Sequence, residues 1–153
     1  MPLSEQSLDK RVKDWTLGND DAALLIKSVW RASRIIDDLV DEEGLDRGPK
    51  MVEVVAELIL GIGTNPFYLR HQGTFAPFLM LATLTWRAAD VWRKQKDRSI
   101  RMAGYVHRDT MQLLVPLVAL VLGGPAHAES VLHDVIYATS LGNKETFEDW
   151  EKE

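Results

Sequence analysis

The stretch DAALLIKSVWRASRIIDDLVDEE, residues 21–43, decides the fold. At about 100° per residue, Ala22, Leu25, Val29, Ala32, Ile36, Leu39 and Val40 line one face. Lys27, Arg31 and Arg34 lie opposite. That period is helical, and a single apolar stripe of this length needs other helices to cover it. Gly18-Asn19-Asp20 breaks and caps the chain before it, and Gly44 follows it.

The rest of the chain reads the same way. Strict alternation is missing, and Gly and Pro sit between the periodic segments. A short helix is expected over Ser4–Trp15, with Leu8, Val12 and Trp15 on one side. Another is expected over Lys50–Leu60, with Val52, Val55, Ala56 and Ile59 as its core side and Glu53 and Glu57 solvated. Asn65-Pro66 reads as an N-cap with Pro at the first helical position, opening a short helix to Gln72. A long helix Phe75–Lys96 is apolar almost all round to Leu84, which predicts a central position. Helices Ser99–Leu122, kinked near Pro116, and Ala128–Leu141 follow, separated by a sharp break at Gly123-Gly124-Pro125. Gly142 would end the last of these, and Asn143 would cap a final short helix. The expected fold is all-α: an antiparallel bundle of four to six helices in one domain over 1–153, with an N-terminal helix or arm (1–18) and a short C-terminal helix (143–153).

Composition fits a folded soluble chain, with 46% hydrophobic and 27% charged residues in 153. A net charge of -5 gives no general grip on a nucleic-acid backbone. Cysteine is absent, which excludes disulfides, thiolate metal sites and a Cys nucleophile. The polar, acidic N-terminus has no signal-peptide core, and the longest apolar run, Leu113–Leu122, is too short to span a bilayer. A cytoplasmic protein with no membrane partner is therefore expected, in the host cytoplasm if a phage encodes it.

Chemistry is concentrated in a few places. Five carboxylates fall in the seven positions Asp37–Glu43. Asp37 and Asp41 stack one turn apart at the edge of the apolar face, with Asp38 further round. Asp-Asp-x-x-Asp spacing lets carboxylates share Mg²⁺ or a similar divalent cation, along with water and substrate phosphate. The other reading is a solvated helix end, although carboxylates there oppose the macrodipole. Asp90 flanks the core side of the long helix, as a further metal ligand or as the ion-pair partner of Arg87 or Arg93. Arg101, Tyr105, Arg108 and Gln112 form one stripe, either an anion clamp or a solvated face. His71, after Asn65-Pro-Phe-Tyr, faces a turn and joins the candidate ligand-binding residues.

Two resemblances follow from these residues. Asp37-Asp38-Leu39-Val40-Asp41 resembles the first Asp-rich motif of class I isoprenoid synthases, which implies Mg²⁺ and diphosphate on Asp37, Asp38 and Asp41. The second metal motif of that family does not appear. More broadly, the chain is similar to a group of short, all-helical phage and prophage proteins. That group has an Asp-Asp-Leu-x-Asp run, then Asn-Pro-Phe-Tyr-x-x-His, then Trp-x-x-Ala-Asn and an Arg-bearing helix. Here these are Asp37–Asp41, Asn65–His71, Trp86–Asp90 and Tyr105–Asp109, with Ile36 replacing Trp and Asp90 replacing Asn. This resemblance implies a phage origin and no particular activity.

The expectation is a small helical protein with a divalent-metal site on Asp37, Asp38, Asp41 and Asp90. Arg108, Tyr105, Arg101 and His71 would hold a phosphate or diphosphate compound, which as an enzyme would make the chain a Mg-dependent hydrolase or transferase. The alternative is a non-enzymatic helical interaction or accessory protein of phage origin. A homodimer fits either reading, because five Trp and a long apolar helix exceed what a small bundle must hide.

Overall fold

The computed structural model describes residues 5–42, 44, 46–140 and 145–152. Among them the fold is all-α, with no strand. The helices are α1 (Glu5–Trp15), α2 (Asp20–Asp41), α3 (Arg47–Ala56), a π-helical segment (Glu57–Ile62), α4 (Pro66–Arg70), α5 (Gln72–Arg93), α6 (Arg98–His107), a 3₁₀ turn (Thr110–Leu113), α7 (Leu114–Ser140) and α8 (Phe147–Trp150). They fall into two compact units. One is Val12–Gln72; the other comprises the described residues of Met1–Arg11 and Gly73–Glu153.

In the unit Val12–Gln72, α1 ends where Leu17 and Gly18 take positive φ (51° and 74°). The Gly18 N–H closes back on the Lys13 carbonyl at 2.9 Å. Asn19 then caps α2 as expected, its side chain accepting from the Ala22 N–H at 2.9 Å. Ala22, Leu25, Ile26, Val29 and Ala32 are buried, so the expected apolar face holds to Ala32 with Ile26 added; beyond it Ile36 and Leu39 are half-buried and Val40, expected on that face, is exposed. Trp15 packs edge-on against Trp30, with centroids 6.4 Å apart. α2 stops at Asp41 with Glu42 as its C-cap, and Glu43 lies outside the described residues.

Asn65 caps α4 through the Tyr68 N–H at 2.9 Å, and its Nδ2 donates to the Asp21 carbonyl at 2.8 Å. One buried amide thus ties the start of α4 to the start of α2. The π-helical segment was not foreseen. Its extra residue per turn brings Gly61 against the buried Ser28, where a Cβ would meet the Ser28 Oγ at 2.7 Å. Val54 and Ile62 are buried, whereas Val52, Val55 and Ile59, expected as core, are exposed. Glu57, expected to be solvated, is half-buried and pairs with Arg31 at 2.9 Å.

In the other unit, α5 buries Phe75, Ala82 and Ala89, but it is not the central helix expected, since Met80, Leu81 and Leu84 are exposed. Pro77, expected in a first turn, is instead the sixth residue of α5 and leaves the Gly73 carbonyl without its helical donor. The long helix expected over Ser99–Leu122 is instead two: α6 ends at His107, and the 3₁₀ turn restarts the chain as α7. Pro116 therefore sits in a first turn, where its missing N–H costs nothing, and is no kink. The break expected at Gly123-Gly124-Pro125 is present: Gly124 leaves helical space at φ 77° and ψ -176°, a backbone only glycine adopts without strain, so α7 is two helices joined at a kink. The expected caps Gly142 and Asn143 lie outside the described residues. Thr146 caps α8, in a reciprocal box with Asp149.

Candidate functional site

The acidic end of α2 is built from Asp37, Asp38 and Asp41. Asp37 and Asp38 are half-buried and Asp41 is exposed. Asp38 lies 3.5 Å from Arg34, one turn back, and 3.8 Å from Lys50 at the start of α3. Lys50 also reaches Glu53 at 3.7 Å. The charge that opposes the α2 macrodipole is thus offset by cations of the same unit. Asp90 is held from three sides: Arg87 at 2.9 Å, Arg93 at 3.0 Å and Lys94 at 3.6 Å. That is the ion-pair arrangement left open for it by the sequence. Among the described residues, no three His, Asp or Glu side chains gather closely enough to hold a metal ion.

His71 ends α4 and packs at a tilt against the buried Phe67, with ring centroids 4.9 Å apart. The Asn-Pro-Phe-Tyr-x-x-His run therefore has a local structural role: Asn65 caps, Pro66 starts the helix, Phe67 enters the core and His71 covers it.

The stripe on α6 is occupied by the chain's own C-terminal segment. Tyr105 donates its hydroxyl to the Glu145 carbonyl at 2.8 Å, and Arg108 pairs with the Glu145 carboxylate. Arg101 Nε donates to Glu151 at 2.8 Å, while its Nη1 reaches the carbonyls of Gln95 and Lys96 at 2.9 and 2.7 Å. Arg98 reaches Glu148 at 3.4 Å. Between these pairs Phe147 and Trp150 close on Tyr105, each with centroids 5.7 Å away. The Arg108 guanidinium lies 4.4 Å over the Tyr105 ring.

The Arg108 Nε is buried without an acceptor, 3.7 Å from the Asp109 carboxylate. Desolvation in this corner raises the Asp109 carboxyl above its ordinary value, against the pull of Arg108. Gln112, the last member of the stripe, accepts from the Thr139 hydroxyl at 2.7 Å. The sequence reading missed the partner of this stripe, Glu145-Thr-Phe-Glu-Asp-Trp-Glu151. Its signal was charge complementarity: acids and aromatics at short spacing in one element facing arginines and Tyr at helical spacing in another.

Apolar surface is the other prominent feature. On α3 and the π-helical segment, Met51, Val52, Val55, Leu58, Ile59 and Leu60 are all exposed. On α5, Met80, Leu81, Leu84 and Val91 are exposed. Phe78 of α5 and Leu113, Leu117, Leu120 and Leu132 line an open apolar groove of about 350 Å³. By length and composition, one stretch among the described residues, Thr110–Thr139, suffices to cross a membrane.

No known protein family, curated protein or solved structure matches this chain.

Proposed function

We propose that this chain is a non-enzymatic helical interaction protein whose exposed apolar helix faces meet a macromolecular partner. The observation that carries this reading is the apolar row Met51, Val52, Val55, Leu58, Ile59 and Leu60, all exposed on consecutive turns of α3 and the π-helical segment. Contiguous apolar rows of this kind mark association surfaces. The groups that would serve phosphate chemistry have other work. Asp38 and Asp90 are ion-paired, and Arg101, Tyr105 and Arg108 hold the C-terminal segment.

The competing reading is a Mg²⁺ site on Asp37, Asp38 and Asp41 that handles a phosphate or diphosphate compound. A thermal melt with and without millimolar Mg²⁺, Mn²⁺ or Ca²⁺ separates the two, because a cation that binds only the folded chain raises its Tm. The interaction reading expects no shift with any of the three. An upward shift that disappears in Asp38→Asn would overturn it and restore the metal site.

A further inference from the structure

We propose that the outer face of α5 is a self-association surface on which a second copy of this chain packs its own α5, antiparallel, about a two-fold axis near Leu84. This names the partner for the interaction reading above and rests on it.

The inference starts from the two faces of one helix. Phe75, Ala82 and Ala89 are buried and recur every seven residues along one side. Roughly opposite on the 3.6-residue repeat run Pro77, Leu81, Leu84, Ala88 and Val91, at alternating steps of four and three. That is the spacing of a helix–helix seam. All but the half-buried Ala88 are exposed, with Leu81 at 59%, Leu84 at 53% and Val91 at 47%, and Met80 beside them at 57%. A helix that is apolar on both sides belongs inside an assembly. No charged residue occurs from Gly73 to Trp86, so this surface has none of the charge that keeps a free helix face soluble.

The area fits a second copy. Four large side chains, each about half exposed at about 100 Å² apiece, amount to on the order of 400 Å² of apolar surface. A standard interface takes about 800 Å² from each partner, about 65% of it apolar in homodimers. The seam thus supplies most of the apolar share. A seam with its own midpoint at Leu84 is also self-complementary, as an isologous contact requires.

Charge sets the direction. Arg87, Asp90 and Arg93 lie in the last turns of α5 and Lys94 directly follows it. In a parallel pair each would face its own copy. In an antiparallel pair centred on Leu84 they lie over the partner's uncharged first turns. The two Lys94 are then about 30 Å apart at 1.5 Å per residue, well beyond the roughly 8 Å screening length.

Sedimentation velocity of the full chain from about 1 to about 100 µM tests this. The expected result is a concentration-dependent dimer. Leu84→Glu and Leu84→Lys should each weaken it by about a hundredfold or more, because each places like charges at the axis. An equimolar mixture of the two variants should associate again, since Glu then meets Lys; a seam away from Leu84 would not give this rescue. If either variant fails to melt like the wild type, Val91→Glu at the end of the seam replaces it, with weakened dimerisation expected.

A chain monomeric throughout overturns the proposal. So does a dimer indifferent to Leu84 and Val91 but lost in Val52→Glu. Flotation of a monomeric chain with phosphatidylcholine–phosphatidylglycerol vesicles, abolished by Leu84→Glu, overturns it in favour of a membrane. A monomer whose Tm ignores cations removes the second copy and leaves the interaction reading standing. A cation-dependent Tm removes the interaction reading itself.

Discussion

Helices α2 and α5 are both 22 residues long and teach opposite lessons. In α2 the residues sort cleanly. Ala22, Leu25, Ile26, Val29 and Ala32 are buried, while Asp20, Asp21, Arg31 and Arg34 are exposed. Its N-terminus is capped by Asn19, and its first turn gives the Asp21 carbonyl to Asn65. In the first three turns of α2 the one large apolar side chain left exposed is Leu24. In α5 the buried set shrinks to Phe75, Ala82 and Ala89, and an equally apolar seam faces outward. One helix is explained by the chain it belongs to. The other carries hydrophobic residues that its own chain leaves uncovered.

The sharpest way to break that contrast is to truncate one Leu in each. Leu25 is 0% exposed, so Leu25→Ala should cost about 2–5 kcal/mol through lost burial and the cavity left behind. Leu84 is 53% exposed, so Leu84→Ala should stay within about 0.5–1 kcal/mol at protein concentrations too low for association. Equilibrium urea unfolding at submicromolar chain reads both. Equal costs would mean that the α5 seam is covered within the monomer.

The same contrast separates what was legible in the sequence from what was not. The α2 stripe from Ala22 to Ala32 and the Asn19 and Asn65 caps follow from period and cap chemistry alone. Val52, Val55 and Ile59 were placed on the wrong side because periodicity identifies an apolar face without saying what covers it. The π-helical segment compounded this, since an extra residue per turn rotates everything after it and has no composition signature. Gly61, just beyond the helix expected to end at Leu60, lets the backbone approach Ser28 instead. For the candidate site, the acidic and basic residues stood out in the sequence, but their partners did not. Lys50 for Asp38 and Glu145 for Arg108 are tertiary pairings that single-sequence spacing does not encode.

A middle-sized effect sharpens the α2 side. Asn65 is 2% exposed and uses both ends of its amide. Asn65→Ala removes a cap and leaves the Asp21 carbonyl without its donor, for about 1–3 kcal/mol in all. Asn65→Asp keeps an acceptor for the Tyr68 N–H yet sets a carboxylate against the Asp21 carbonyl, so it should rescue little. If Asp restored full stability, the cap alone would matter and the tie to α2 would contribute nothing. Urea midpoints of the two variants decide it.

The smallest effect tests the less satisfied side of the molecule. Asp109 follows α6, its side chain 53% exposed, and desolvation outweighs the attraction of Arg108 in setting its carboxyl. Its folded-state pKa is raised above the ordinary 3.8, so the ionised form at neutral pH costs folding free energy. Below 3.8 the group is protonated in both states and the cost vanishes. Asp109→Asn should therefore stabilise the chain at pH 7 by less than about 1 kcal/mol, given solvent screening. The gain should fade as pH drops through the raised pKa towards the unfolded value. A variant less stable than wild type at pH 7 would mean that Arg108, whose Nε has no other acceptor, depends on Asp109 more than desolvation opposes it. This corner would then resemble α2, with its charges internally matched, and the contrast between the two regions would narrow to the α5 seam.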